Sequence, residues 1–252
     1  MLRKLLNLNR NDLLLYLGII GGTFLAAQIV TACTLIFSDA RGIPMVSGII
    51  LPITACVLIA FAGVANVGVS FGQALRFGQT RRRALGLTAG MTAVQGAAVM
   101  LLSLLLTALE RLLLPPLWLA LSGAERLMWG EVPPLPAVWD GTDQGWQALL
   151  DELSSTLYVD FYLLDWWWYL LLPLIGLLAG FIIGAFLQRF GGRGAWVIWG
   201  IWMVLTFAPQ LLGYNVLMIG HWGWWTVPLI AALVLAGLIW SVWSLLHAVV
   251  KG

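Results

Sequence analysis

Side chains able to carry acid–base, nucleophilic or metal chemistry are few in this chain and are poorly placed to act together. The only histidines are His221 and His247, and a long apolar run separates them, so neither a His-Glu metal cluster nor a Ser-His pair can be built. The only lysines are Lys4 and Lys251, and neither follows a glycine-rich turn as a phosphate-binding loop requires. The chain is therefore expected to be no enzyme and to hold no cofactor or metal, and any ATP hydrolysis would belong to a partner.

The composition predicts an all-α, polytopic membrane protein. Of the 252 residues, 61% are hydrophobic and 10% are charged, which is far too apolar for a soluble domain of this length. Six apolar runs are long enough to cross a hydrocarbon layer of about 30 Å. The predicted spans are residues 13–37, 45–69, 85–109, 163–187, 195–212 and 226–249 of one transmembrane domain. Residues 1–12 alternate leucines with basic and amide side chains, as in a short helix lying on the membrane surface.

The distribution of charge predicts the orientation of these spans. The segments assigned to the cytoplasm hold ten Lys and Arg residues against one acidic residue, whereas the segments assigned to the outside hold three against ten. Cytoplasmic loops retain Lys and Arg near the ends of spans. We therefore expect both termini to lie in the cytoplasm.

The span interiors lack ionisable side chains in this arrangement. Gln28, Asn66 and Gln95 are the polar residues closest to the middle of a span. Ion-coupled carriers usually hold their ion with intramembrane ionisable groups, so the sequence disfavours a function as a secondary transporter. Cys33 and Cys56 are predicted at depths that differ by roughly 10 Å at 1.5 Å per helical residue, so we expect two packed thiols rather than a disulfide.

The outer segment, residues 115–162, is acidic and rich in aromatic residues. It is expected to be partly helical, with an amphipathic helix that lies on the outer membrane face or on neighbouring spans. The apolar face of that helix is formed by Trp146, Leu149, Leu150, Leu153 and Leu157.

The most basic stretch is the loop of residues 70–84, which contains Arg76, Arg81, Arg82 and Arg83. Residues 70–77 can form about two helical turns, Gly78 suits the position after a helix, and Thr80 can cap the next helix. The arginines can also serve only to set the topology and to bind anionic lipid.

Six spans, a basic N-terminal helix and the loop FGQALRFGQTRRRAL (residues 71–85) resemble the permease subunits of bacterial type-2 ABC exporters. In that family, loops of the form Phe-Gly-x-[Ser/Thr]-Arg act as coupling helices that sit in a cleft of a separate ATPase, and Phe77, Gly78, Thr80 and Arg81 match this pattern. The outer segment is longer and richer in Trp than the family pattern, which leaves the substrate class open between peptide, lipid and drug. The residues that the resemblance assigns to ATPase contact are Phe71, Gln73, Arg76, Phe77, Gly78, Thr80 and Arg81.

The resemblance also implies partners. They are a cytoplasmic ATPase and a second permease subunit, identical or related, since about twelve spans enclose the pathway in such exporters; no nucleic acid is expected. The alternative is a membrane protein without a transport role, such as an immunity, sensor or accessory subunit.

Two further patterns have structural interpretations. Gly176, Gly180 and Gly184 form overlapping GxxxG steps, and Gly86 with Gly90 forms another, which suits close helix packing within one subunit or between subunits. The Trp residues near the outer ends of spans are typical of an interfacial aromatic belt, which we favour over a ligand site.

Overall fold

The computed structural model describes residues 10–37, 42–130, 155–161, 163–211 and 226–247. Most of the predicted surface helix at residues 1–12, most of the outer amphipathic helix and the C-terminal residues lie outside this described part.

The described chain is mostly helical. In chain order the helices are α1 (Arg10–Phe37), α2 (Ser47–Ala65), α3 (Phe71–Arg76), α4 (Arg81–Leu113), α5 (Pro115–Ser122), α6 (Trp168–Phe190), α7 (Gly192–Leu211) and α8 (Thr226–Leu246). A π-helical turn, Asn66–Ser70, joins α2 to α3 without a break. Helix α5 follows α4 and begins at Pro115. Proline suits the first position of a helix, because the backbone N–H that it lacks would have no intrahelical acceptor there.

Four helical stretches among the described residues are long and apolar enough to cross a membrane: Arg10–Phe37, Ser47–Arg76, Arg81–Leu113 and Trp168–Phe190. Large apolar side chains along them are exposed, for example Leu25, Phe61 and Leu170. A soluble fold would bury such residues, whereas a lipid environment accommodates them. By length and composition, these four helices fit a membrane protein. Helices α7 and α8 are 20 and 21 residues long and occupy the positions of the fifth and sixth predicted spans.

A small sheet, which the sequence did not predict, accompanies the helices. Strands β1 (Gly42–Met45), β2 (Arg126–Trp129) and β3 (Thr156–Phe161) form a parallel sheet in the order β1-β3-β2. Ile43 lies opposite Val159, and Met128 lies opposite Tyr158.

The sheet corrects two local predictions. Residues 42–45 were expected in a turn and at the start of a span, but they pair as a strand before the helix begins at Ser47. Leu157 was expected on the amphipathic helix, but it lies in β3. The sequence TLYVDF of β3 is rich in β-branched and aromatic residues, which fit a half-buried sheet surface. Pairing on both edges then outweighs the helical spacing of the leucines.

The chain divides into two compact units, each with its own core. Unit 1 comprises Met1–Cys56 and Ala97–Pro173, and unit 2 comprises Val57–Gly96 and Leu174–Gly252. The core of unit 1 packs the sheet against Trp118 of α5 and the end of α1, through Leu35, Ile43, Met45, Leu157 and Val159. The core of unit 2 is formed by Val67, Phe71, Ala84, Phe181, Ala185 and Leu245.

Glycines allow the closest helix approach in unit 2. A Cβ added to Gly180 would lie 2.5 Å from the Ala60 carbonyl oxygen, and one added to Gly184 would lie 2.8 Å from Cβ of Val67. Gly176 is also buried on α6. Two of the three glycines in the α6 stripe thus press against the α2 region of the same chain.

Candidate functional site

Helix α3 lies within the arginine-rich loop of residues 70–84 and ends at Arg76. The N–H of Gly78 donates to the Leu75 carbonyl at 3.0 Å, and the N–H of Gln79 donates to the Ala74 carbonyl at 3.1 Å. These two bonds form a Schellman motif, in which the residue after the helix adopts a left-handed backbone. Gly78 has φ of +76°, so the prediction that it ends this helix is confirmed. The next helix begins at Arg81, and the Thr80 carbonyl accepts the N–H of Ala84 at 2.9 Å.

The two phenylalanines of the loop have opposite surroundings. Phe71 is fully buried in the core of unit 2 together with Val67 and Ala84. Phe77, at the last turn of α3, is 82% exposed. Of these two rings, only that of Phe77 is open to contact with another molecule, while the Phe71 ring holds α3 against the core of unit 2.

The polar residues of the loop also divide into two groups. Gln73, Arg76 and Thr80 are exposed, as are the neighbouring Arg82 and Arg83. Arg81 is exposed too, but its Nη1 donates to the Leu246 carbonyl at 2.7 Å. That carbonyl belongs to the last turn of α8, where helical acceptors lack intrahelical partners and a cation is favourable. Arg81 thus ties the start of α4 to the end of α8.

A buried polar network lies at the π-helical turn of unit 2. The Asn66 amide nitrogen donates to Thr92 Oγ1 at 2.9 Å and to Gln95 Oε1 at 2.8 Å, and all three residues are buried. The structure thus brings together two of the three polar residues that stood out in the predicted spans. Single π-helical turns inside α-helices frequently mark functional positions, and here the turn aims Asn66 at α4.

The third of those residues, Gln28, joins a different network in unit 1. Its Nε2 donates to Glu110 Oε1 at 2.6 Å, and the Ser47 hydroxyl donates to Glu110 Oε2. Glu110 is only 2% exposed. A buried carboxylate is costly unless donors surround it, and these two donors come from α1 and from the start of α2. One side chain therefore links three helices.

Glu110, Ser47 and Thr92 were not predicted as site residues. Glu110 had been placed at the outer end of the third span, but α4 continues to Leu113 and holds it inside the protein. A signal was present in the sequence, because polar residues recur along α4 at spacings of three, four or eight positions, which place them on one face of the helix. The buried members of this stripe are Thr88, Thr92, Gln95, Ser103, Thr107 and Glu110.

Metal coordination is not indicated within the described part of the chain, where no group of three or more His, Cys, Asp or Glu side chains could hold an ion.

Many of the aromatic residues that the structure describes lie at its surface. Trp196, Trp199 and Trp202 of α7 are exposed along one helix, and Trp166 is exposed just before α6.

Comparisons with protein families, with curated proteins and with solved structures find no match for this chain. The functional assignment therefore depends on the residues themselves, and above all on the loop that presents Phe77.

Proposed function

We propose that this chain is the permease subunit of an ATP-driven exporter in a bacterial plasma membrane. In this proposal it has six spans with both termini in the cytoplasm, and a cytoplasmic ATPase docks on the loop between α3 and α4. The observation that carries the proposal is the exposed ring of Phe77, which stands among exposed arginines at the end of a candidate span.

Phe77 has the properties of an interface anchor. An aromatic side chain left 82% exposed gains apolar contact only when something covers it. Interface energy is concentrated in a few such residues that enter pockets, with polar contacts around them. Arg76 and Arg82 flank Phe77 with charge and suit an acidic rim on a partner.

The loop holds Phe77 in a defined position. The Schellman bonds at Gly78 and Gln79 fix the end of α3, and the buried ring of Phe71 fastens α3 to the core of unit 2. A preorganised anchor loses little conformational entropy when it binds. Because Arg81 contacts the end of α8, movement of the docked loop would reach a second helix directly.

A second subunit belongs to the proposal. Gly86 and Gly90 of α4 lie in open space, since a Cβ added to either would meet nothing within 4 Å. Unlike Gly180 and Gly184, they are available to a helix of another chain. We place the second permease subunit, identical or related, against this face of α4.

The experiment is the substitution Phe77→Ala, compared with Phe37→Ala. Phe37 ends α1, is 85% exposed and lies in unit 1, so the control removes an equally exposed ring far along the chain from the loop. The tagged chain is purified from the membranes of its source organism, and co-purifying ATP hydrolysis is measured per mole of chain. A hot-spot loss of about 2 kcal/mol or more corresponds to a roughly thirtyfold weaker complex.

We expect Phe77→Ala to insert normally and to lose the ATPase, while Phe37→Ala retains it. Equal ATP hydrolysis with both variants would remove the support for the docking loop. Absence of ATP hydrolysis with the unaltered chain would favour an immunity, sensor or accessory role.

A further inference from the structure

A second basic site lies in unit 2, at the end of α6. The guanidinium carbon of Arg189 lies 5.7 Å from the ring centroid of Trp243 and 5.8 Å from those of Trp240 and Phe190. Both tryptophans belong to α8, so the arginine bridges the end of one helix to the face of another. Each distance is within the range of a cation–π contact.

The cluster leaves the hydrogen-bonding capacity of Arg189 unused. Among the residues that the structure describes, the contacts of its guanidinium group are these three rings. Cation–π contacts do not use the N–H groups in directed hydrogen bonds, so the donors of Arg189 stay available to a ligand. Arg189 is exposed, and so is Arg193, which follows after the turn at Gly191 with φ of +60°. Two cations without hydrogen-bond partners among the described residues thus lie close together in sequence at one helix end.

The position of the cluster is at the end of a candidate span. Helix α6 is one of the four stretches able to cross a membrane, and it ends at Phe190, one residue after Arg189. The rings of Phe190 and Trp243 are themselves exposed, so apolar surface adjoins the two charges. The rings of His247 and Trp243 lie 4.9 Å apart in a tilted arrangement, and His247 Nδ1 lies 2.8 Å from the Trp243 carbonyl oxygen, so His247 holds its place beside the Trp243 ring.

We propose that Arg189 and Arg193, with the rings of Phe190, Trp240 and Trp243, bind the headgroup of an anionic phospholipid. The planar guanidinium donors match the paired oxygens of a phosphate diester, and the exposed rings match the first methylenes of the acyl chains. Basic pockets between helices at a membrane surface are suited to such headgroups. A soluble phosphate would leave the apolar half of the site uncovered. This inference does not depend on the exporter assignment.

The test uses the purified full chain, stripped of lipid in detergent and titrated separately with dioleoylphosphatidylglycerol and dioleoylphosphatidylcholine, with binding counted by native mass spectrometry. We expect the anionic lipid to bind more tightly. Arg189→Gln should weaken phosphatidylglycerol binding about fivefold and leave phosphatidylcholine binding unchanged, because one cation near a membrane surface contributes roughly that much.

Arg111→Gln is the matched control, since Arg111 also lies over a tryptophan ring, that of Trp129 at 5.9 Å, but in unit 1. Arg193→Gln provides a second variant if Arg189→Gln disturbs folding, because Arg193 has no part in the ring contacts that join the helices. Equal affinity for the two lipids, or unchanged phosphatidylglycerol binding in both variants, would overturn the proposal. Displacement of the lipid by millimolar glycerol phosphate would assign the site to soluble phosphates instead.

Discussion

The arginine-rich loop contains two glycines, Gly72 and Gly78, but the backbone conformation requires glycine only at position 78. Both have open space where a Cβ would stand, but Gly78 has φ of +76° whereas Gly72 lies within α3. A left-handed backbone costs a non-glycine residue roughly 1–2 kcal/mol, while alanine in place of glycine inside a helix stabilises it by about 1 kcal/mol. The two substitutions should therefore act in opposite directions.

We expect Gly78→Ala to loosen the loop and Gly72→Ala to tighten it. Trypsin cleavage at the loop arginines, in the folded protein in detergent, measures this local opening. Gly78→Ala should be cut roughly fivefold to thirtyfold faster than the unaltered chain, given the cost of the left-handed backbone. Equal cleavage of the two variants would show that the Schellman geometry does not hold the loop.

At the scale of single residues, local signals were readable from the sequence and tertiary ones were not. Glycine after a helical stretch indicates a helix end through its own backbone freedom, and Gly78 could be placed for that reason. The pairing of Gln28 with Glu110 joins residues 82 positions apart and depends on how α1 packs against α4. Nothing in the sequence around either residue predicts that the two form a pair. Likewise, no local pattern separated buried Phe71 from exposed Phe77.

Among the helices of unit 1, Glu110 is the residue that joins α1, α2 and α4. Glu110→Ala would leave the Gln28 amide and the Ser47 hydroxyl without their acceptor. Buried donors without partners cost about 1–3 kcal/mol in proteins, and interhelical hydrogen bonds in membranes contribute about 0.6–2 kcal/mol. We expect Glu110→Ala to lower stability by about 2 kcal/mol, measured by unfolding in mixed detergent micelles.

Two controls separate the network from a general effect of charge removal. Glu110→Gln keeps an acceptor oxygen, and its loss should be clearly smaller. Glu125→Ala removes an exposed acidic residue of the same unit and should change stability by less than about 0.5 kcal/mol. Equal stability of Glu110→Ala and Glu125→Ala would show that the network does not hold the three helices together.

The elements themselves were predictable to different degrees. The positions of the long helices followed from apolar runs, because length and hydropathy are local properties. The parallel sheet did not, since β1, β2 and β3 are each only four to six residues long and their pairing connects residues far apart in the chain. The π-helical turn that carries α2 into α3 without a break was not predicted, since the second span was expected to end at residue 69 and a short separate helix to follow from Ser70.

At the scale of the whole molecule, the proposed orientation puts the outer segment on the side opposite the arginine-rich loop. Its test is Asp143→Cys in a background with Cys33→Ala and Cys56→Ala, since neither natural cysteine is in a disulfide and Cys33 is exposed rather than packed as predicted. A membrane-impermeant maleimide should label the residue in intact cells, whereas Gln73→Cys in the same background should require lysis. The reverse pattern would invert the assigned topology.

The second whole-molecule prediction is that the working unit contains two permease subunits. In this prediction the two subunits meet through Gly86 and Gly90 of α4. The substitution Gly90→Leu should separate them, because the leucine side chain fills the open space that a partner backbone would occupy. Native mass of the complex should show two subunits for the unaltered chain and fewer for Gly90→Leu, with Gly72→Leu as the control. A functional complex with a single permease subunit would contradict this.

The most direct measurement is photo-cross-linking from position 77 in native membranes. Benzoylphenylalanine in place of Phe77 keeps an aromatic ring in the loop, and the same replacement at Phe37 provides an equally exposed control. If a cytoplasmic ATPase docks on the loop, irradiation should join position 77 to one soluble protein that an azido-ATP probe also labels, and position 37 should not give this product. Cross-links from position 77 to lipid alone, or identical products from both positions, would contradict the docking of an ATPase on this loop.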